Sequence, residues 1–252
     1  MIRIIIVDDE PLARSGIAAR LAKHPDCEVV AECASAEDAA EQMLRHKPDL
    51  IFLDIWMRGL TGIELLDSIP RERVPAVIFL TAHDQHAIDA FRHEALDYLL
   101  KPVNDERFDD ALGRARRLFT LRERADTEPI APDSSSDLDR QSEWIARFIV
   151  RTHRKVHFVR AADIDWIEGL GDYAGLHAGQ ATHLIRESLR VLERRLDPAN
   201  FLRIHRSAIV NMNRVQGITR LANQDSTVTL TSGHQIRGSR TYYAALKKLM
   251  CE

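Results

Sequence analysis

The chain has 252 residues, 45% of them apolar, a formal net charge of −3 and three cysteines. That length allows one large domain or two ordinary ones, each with a real core. The longest apolar run near the start, the III of MIRIIIVDD, is too short for a signal segment or a membrane span, and an odd cysteine count without C-x-x-C spacing indicates neither a disulfide framework nor a zinc site. A cytoplasmic, reduced protein without membrane insertion is expected.

In chain order, the first part alternates strand and helix signals. Apolar runs at Ile2–Val7, Glu28–Ala31, Leu50–Leu53, Ala76–Leu80 and Asp97–Leu100 are short and rich in β-branched residues or leucine, and helical windows such as Pro11–Lys23 and Ala36–His46 separate them. Five β/α units with buried strands predict an α/β domain, a doubly wound parallel sheet covered on both faces, over residues 1–124. Residues 125–143, ADTEPIAPDSSSDLDRQSE, carry two prolines, a serine run and clustered acids, and read as a solvated linker. Residues 144–252 are β-rich: short alternating segments follow one another from Arg147–Arg151 to Thr227–Thr231, Asp163–Ile167 among them, with helical windows only near Ser188–Leu196 and at Ser239–Met250.

Charge divides the same way. Residues 1–125 hold 17 basic and 23 acidic side chains, residues 126–143 hold 1 and 6, and residues 144–252 hold 17 and 9. An acidic front joined to a basic tail points to a polyanionic partner for the tail.

The polar residues of the first part fall at the carboxyl ends of its strands: Asp8 and Asp9 after the first, Asp54 after the third, Thr81 after the fourth, Lys101 after the fifth. In an open parallel sheet those ends border the ligand crevice, so residues far apart in sequence converge there. Three adjacent carboxylates stay ionised when a cation lies between them, and an all-oxygen cluster with solvent access suits Mg²⁺. Thr81 and Lys101 would then face an anion with a hydroxyl and a positive charge. The competing reading is that Asp8 or Asp9 merely caps the helix opening at Pro11.

The segments VDDEP, LIFLDI, IFLTA and DYLLKP resemble the CheY-like receiver domain of bacterial response regulators, across residues 1–120. The resemblance implies that Asp54 accepts a phosphoryl group from a sensor histidine kinase. It implies that Asp8, Asp9, Asp54 and the main-chain carbonyl of Trp56 hold Mg²⁺, that Thr81 and Lys101 bind phosphoryl oxygens, and that the Lys101–Pro102 bond is cis. Tyr98 is implied as a switch that rotates into space vacated by Thr81, changing the surface of the helical segments that flank the fifth strand. The resemblance also implies that Trp56 and His83 occupy positions that tune phosphate lifetime in similar receivers. The chain departs from the family's MPGMDG after the acceptor: here the loop is MRGLTG, with Arg58 and Thr61. A phosphatase with an aspartate nucleophile presents a second acid two residues on, and Trp56 stands there instead.

In the tail, FLRIHRSAIVN (Phe201 to Asn211) alternates like a half-buried strand yet crowds Arg203, His205, Arg206 and Ser207 at one end, which fits a solvated edge strand or a strand that meets an anion. The GLGDYAG run lacks a Walker lysine and leads into another strand, so it reads as a hairpin turn. With DIDWIEGLGDYAGLH, HLIRESLRVLERRL and HQIRGSRTYYAALKKL, this segment resembles the LytTR DNA-binding domain of AlgR- and AgrA-type regulators, over about residues 144–250. The resemblance implies a stack of β-sheets whose loops enter successive major grooves, with Arg206 and Arg240 as base-reaching side chains and the turn at Asp172, Tyr173 and Ala174 as a third contact region. A guanidinium can bond guanine O6 and N7 in parallel. Lys247 and Lys248, with Arg203, Arg237 and His205, read as phosphate-side contacts, and Asn211 as a structural hydrogen-bonding residue. The whole is expected to be a transcription regulator acting on double-stranded promoter DNA, a homodimer when active or on DNA, and not an enzyme. The alternative output is a protein- or RNA-binding module with a basic face.

Overall fold

A computed structural model describes residues 1–70, 73–82, 95–126, 144–151, 156–221, 225–242 and 246. Its contacts divide the chain into two units, Met1–Arg117 and Leu118–Glu252.

The first unit is a five-stranded parallel sheet of order β2-β1-β3-β4-β5, with β1 at Ile2–Val7, β2 at Cys27–Cys33, β3 at Leu50–Asp54, β4 at Ala76–Thr81 and β5 at Asp97–Leu100. Every residue of β3 and β4 is buried, because both faces of these central strands are covered; continuous apolar runs in place of alternation are the consequence. Helices α1 (Pro11–Leu21), α2 (Ala36–His46) and α3 (Gly62–Asp67) follow β1, β2 and β3, and α4 runs Asp105–Asp126. The helical segment expected between β4 and β5 lies outside the described residues, as does His83.

Local chemistry sets the ends of these helices. Ser35 caps α2 by accepting from the Asp38 N–H, and Lys47 closes it in the left-handed region at φ 47°. Thr61 and Glu64 form a reciprocal capping box at the start of α3, which gives the departure at Thr61 a structural purpose. Pro11 opens α1, its N-cap is Glu10, and no side chain caps it, so the capping alternative for Asp9 falls away. A buried pair anchors β5 just before Lys101: Asp97 accepts from Arg114 Nη1 at 3.0 Å and from the Tyr98 N–H at 2.7 Å. Cys27 and Cys33 are free thiols, and burial pushes Cys33 up to about 12.

The second unit is built of three antiparallel sheets. Strands β6 (Arg147–Arg151) and β7 (Val156–Arg160) form a hairpin. The central sheet has order β10-β9-β8-β12-β11, with β8 at Trp166–Leu170, β9 at Tyr173–Ala178, β10 at Ala181–Ile185, β11 at Phe201–His205 and β12 at Ala208–Asn211. The last sheet is β13 (Val215–Arg220), β14 (Ser226–Leu230) and β15 (Gln235–Gly238). Helix α5 (Leu189–Arg195) lies between β10 and β11 in sequence.

Alternation along β12 explains the layering. Ile209 joins a core with Phe148 and Val159 of the hairpin and Leu189 and Leu192 of α5, whereas Ala208 and Val210 face a second core with Val228, Leu230 and Ile236. The central sheet therefore buries both faces. Asn211, 1% exposed, donates Nδ2 to the Ile164 carbonyl at 2.8 Å and accepts from the Asn213 N–H, the structural role read from the sequence.

Two expectations shift. The strand expected at Asp163–Ile167 sits at Trp166–Leu170, because Ala161–Asp163 form a 3₁₀ turn. Strand β15 was not anticipated. Of the helix expected at Ser239–Met250, Arg240–Tyr242 form a 3₁₀ turn and Leu246 is α-helical, while residues 243–245 and 247–250 lie outside the described residues. Among the described residues no helix is long and apolar enough to cross a membrane.

Candidate functional site

The strand ends of the first unit bring Asp8, Asp9 and Asp54 together, with ligand oxygens all within 4.8 Å of one another. Parallel register is the cause: β1 pairs with β3 as Val7 opposite Leu53, so the residues that follow reach the same edge. Asp54 is 5% exposed and Asp8 is fully buried. Loop backbone fixes their oxygens. The Trp56 N–H donates to Asp54 Oδ1 at 3.1 Å, and the Glu10 N–H donates to Asp8 Oδ1 at 3.0 Å. Arg14 Nη1 donates to the Asp8 carbonyl at 2.6 Å.

Lys101 enters from the end of β5, next to a cis Lys101–Pro102 bond, as the resemblance implies. Its Nζ lies 2.7 Å from Asp54 Oδ2 and 2.7 Å from Asp8 Oδ2. Toward Asp54 the geometry is that of a hydrogen bond; toward Asp8 Oδ2, which is buried, the ammonium is a close charge partner. Burial raises the Asp54 pKa above the usual aspartate range, with Lys101 pulling it down and Asp8 pushing it up. Burial also works against the Lys101 charge, but the two carboxylates outweigh it and raise its pKa. Both shifts follow from one ammonium shared between two sunken acids.

These residues fit a divalent cation. The donors are all oxygen, and three carboxylates converge, two of them buried.

Thr81 is buried at the end of β4, and its carbonyl accepts from the Lys101 N–H at 2.7 Å. Tyr98 is buried as well, its ring stacked on Phe79 with centroids 5.5 Å apart. An inward rotation of Tyr98 therefore has no exposed starting point here, and any movement begins from a packed ring. Trp56 is 51% exposed and lines a cleft of about 760 Å³ with Leu12, Ala13 and Gly16 of α1 and with Pro102. Gly62 fits where it does because an added Cβ would lie 2.2 Å from the Asp54 carbonyl oxygen.

Sequence reasoning missed Arg58. Its backbone N–H and its Nε both donate to Asp9 Oδ2, at 3.3 and 3.2 Å. The only signal was the departure of MRGLTG from MPGMDG.

In the second unit, Arg206 and Ser207 form the turn between β11 and β12, which places Arg206 at the tip of a tight hairpin. His205 Nδ1 accepts from the Ser207 N–H at 3.2 Å and lies 2.8 Å from Ser207 Oγ. Strand β11 is an edge strand, yet not a solvated one, since the Ser239 N–H donates to the Ile204 carbonyl and residues on both its faces are buried.

Arg203 is tied into the hairpin. Its side chain is 13% exposed and paired with Glu193 at 2.8 Å. Its guanidinium also donates to the carbonyls of Arg206 at 2.7 Å and His205 at 3.3 Å. It braces the hairpin that carries Arg206. Arg237 is half exposed and paired with Asp225 at 2.8 Å. Tyr173 starts β9, beyond a turn with Gly171 at φ 71°, and the Arg186 guanidinium lies 5.9 Å from its ring centroid. Arg240 opens the 3₁₀ turn, with its side chain outside the described part, and Lys247 and Lys248 lie outside it entirely.

Comparisons with known proteins agree with this division. Residues 4–113 match the family model of the response regulator receiver domain, and residues 154–250 match that of the LytTr DNA-binding domain. The chain is similar to Sensory transduction protein LytT of Bacillus anthracis, 31% identical over 251 residues with 99% of each chain covered. It is similar to Transcriptional regulatory protein BtsR of Escherichia coli (strain K12), 34% identical over 253 residues with 98% of each covered. Among solved structures, the REC domain of AraT, a response regulator from Geobacillus stearothermophilus, is 31% identical with a TM-score of 0.45, and the match covers 48% of this chain and 98% of that one.

Proposed function

The chain belongs to the response regulators that join a receiver domain to a LytTR DNA-binding domain, a family of transcriptional regulators and not of enzymes, and from that premise we propose that Asp54 is the phosphoryl acceptor whose modification controls promoter binding by the tail. The observation that carries this is the held carboxylate of Asp54, buried at a strand end with Oδ1 on the Trp56 N–H and Oδ2 on Lys101, beside two more acids.

The step is an exchange of bonds to phosphorus. An Asp54 carboxylate oxygen attacks the phosphorus of a phosphohistidine on the sensor kinase, the P–N bond breaks, and the imidazole nitrogen leaves with the electron pair. The buried backbone bonds aim the nucleophile and limit its motion. Asp8, Asp9, Asp54 and the Trp56 carbonyl would hold Mg²⁺, which when bound supplies positive charge to the phosphoryl oxygens. Lys101 and the Thr81 hydroxyl take the remaining oxygens, and exposed Trp56 shields the acyl phosphate from water. Thr81 moves toward the new dianion and Tyr98 repacks behind it.

The receiver occupies residues 1–124 and the linker 125–143, and residues 144–252 bind DNA. Arg206, at its hairpin tip, and Arg240 read base edges; Tyr173 marks a third contact; His205, Arg237 and Lys247 meet phosphates. Phosphorylation drives self-association, and two linked tails gain affinity for neighbouring half-sites through effective concentration. The protein works in the cytoplasm, where its kinase partner and promoter are both accessible.

The test treats wild type and Asp54→Asn with a small acyl phosphate and Mg²⁺. Phosphate incorporation, oligomeric state and affinity for promoter duplex should rise together in the wild type only. Equal incorporation in Asp54→Asn rejects the acceptor, and incorporation without any change in DNA affinity rejects the coupling.

A further inference from the structure

Three carboxylates meet in the pocket, and two cationic side chains answer them. Lys101 lies 2.7 Å from both Asp8 and Asp54. Arg58 takes the third, with Nε 3.2 Å from Asp9 Oδ2. The same oxygen accepts the Arg58 backbone N–H at 3.3 Å, so the loop after the acceptor strand and its side chain close on one point. Gly59, at φ +86°, makes the bend that follows. The Asp9 side chain is 19% exposed, whereas that of Arg58 is 90% exposed.

A cation shared by Asp8, Asp9 and Asp54 would draw on the same Asp9 carboxylate. A guanidinium and a divalent ion compete for the charge of one carboxylate. We infer that Arg58 is a displaceable counter-ion, which holds Asp9 in the cation-free pocket and must loosen its hold on that carboxylate for the cation to bind. This rests on reading the three carboxylates as a cation site. It goes beyond that reading by making the strength of the site depend on a residue that is not a ligand.

Exposure determines how firm the hold is. A solvated arginine–carboxylate contact is weak and screened by salt. Arg58 therefore sets the affinity of the pocket without locking it.

Calorimetric titration of the full chain with Mg²⁺ tests the idea, on wild type, Arg58→Ala and Arg58→Lys, beside NMR of the arginine Nε–H signals. Removing one exposed pair should tighten Mg²⁺ about two- to fivefold in Arg58→Ala at low ionic strength. Arg58→Lys should fall between, and added salt should narrow the gap. The Arg58 Nε–H signal should move at the Mg²⁺ concentration that half-saturates the pocket. If wild type takes up no Mg²⁺, the reading of the pocket as a cation site fails. If wild type binds and Arg58→Ala binds with the same affinity, only the role of Arg58 is overturned. Tighter binding with an unmoved Nε–H signal would reduce Arg58 to a distant charge and overturn displacement.

Discussion

The Lys101 ammonium lies 2.7 Å from Asp54 Oδ2, and at the same distance it meets Asp8 Oδ2. One cation thus serves two buried acids, and each depends on it when no metal is present. Lys101→Met removes the charge but keeps an unbranched chain of similar reach. Stranding buried carboxylates costs about 3 kcal/mol, so the variant should unfold at lower urea than wild type in metal-free buffer. Mg²⁺ should restore part of the loss, since it binds the folded state. An unchanged urea midpoint would mean that the pair contributes nothing to stability.

Gly62 shows how close the acceptor strand runs to the helix that follows it. A Cβ there would sit 2.2 Å from the Asp54 carbonyl oxygen and 2.9 Å from Leu53 Cγ. Backbone cannot yield as a side-chain tip can. Gly62→Ala should cost about 1–3 kcal/mol, measured as a shift in urea midpoint, and should slow phosphate uptake by displacing Asp54. A variant of wild-type stability and rate would show that the loop relaxes freely.

How much of this was legible follows from the kind of signal each part carries. The parallel sheet was readable because β3 and β4 are buried throughout and so appear as unbroken apolar runs. The acids at strand ends were readable because topology alone gathers them. Strand β8 was misplaced since Gly169, within it, and Gly171, just beyond it, together looked like a turn. Gly169 is instead a point of close approach, where a Cβ would lie 2.8 Å from Leu189 Cδ1. Strand β15 escaped notice because only Ile236 of its four residues is a buried apolar side chain. The Arg58–Asp9 and Arg203–Glu193 pairs join elements with no periodic relation, and no spacing rule points to either.

Arg203 and Arg206 look equivalent in RIHRS, yet the hairpin gives them different work. Arg203 is paired with Glu193 and holds the carbonyls of His205 and Arg206, while Arg206 forms the tip. Arg203→Ala should therefore lower stability by about 1–3 kcal/mol and weaken all duplexes alike. Arg206→Ala should relax preference at one base position, a loss of about 1–3 kcal/mol on the preferred sequence. Binding of both variants to a randomised duplex pool, beside their urea midpoints, separates the two. The same uniform loss in Arg206→Ala would make it a phosphate contact.

His183 gives the tail a pH dependence of its own. It is half-buried on β10, with its ring centroid 5.9 Å from that of His157 on β7. Burial lowers its pKa below the ordinary 6.5, and the nearby charge of His157 lowers it further. A base depressed by folding is neutral in both states well above 6.5 and contributes nothing there. As pH falls below 6.5 the unfolded chain takes up the proton first, so stability is lost through the window between that value and the folded pKa. Acidification from about pH 7 to about pH 5 should then lower the urea midpoint of the tail, and His183→Gln should flatten the slope. DNA affinity cannot stand in for this measurement, because protonating histidines also adds charge that attracts a polyanion. A slope unchanged in His183→Gln would assign the acid sensitivity to another group.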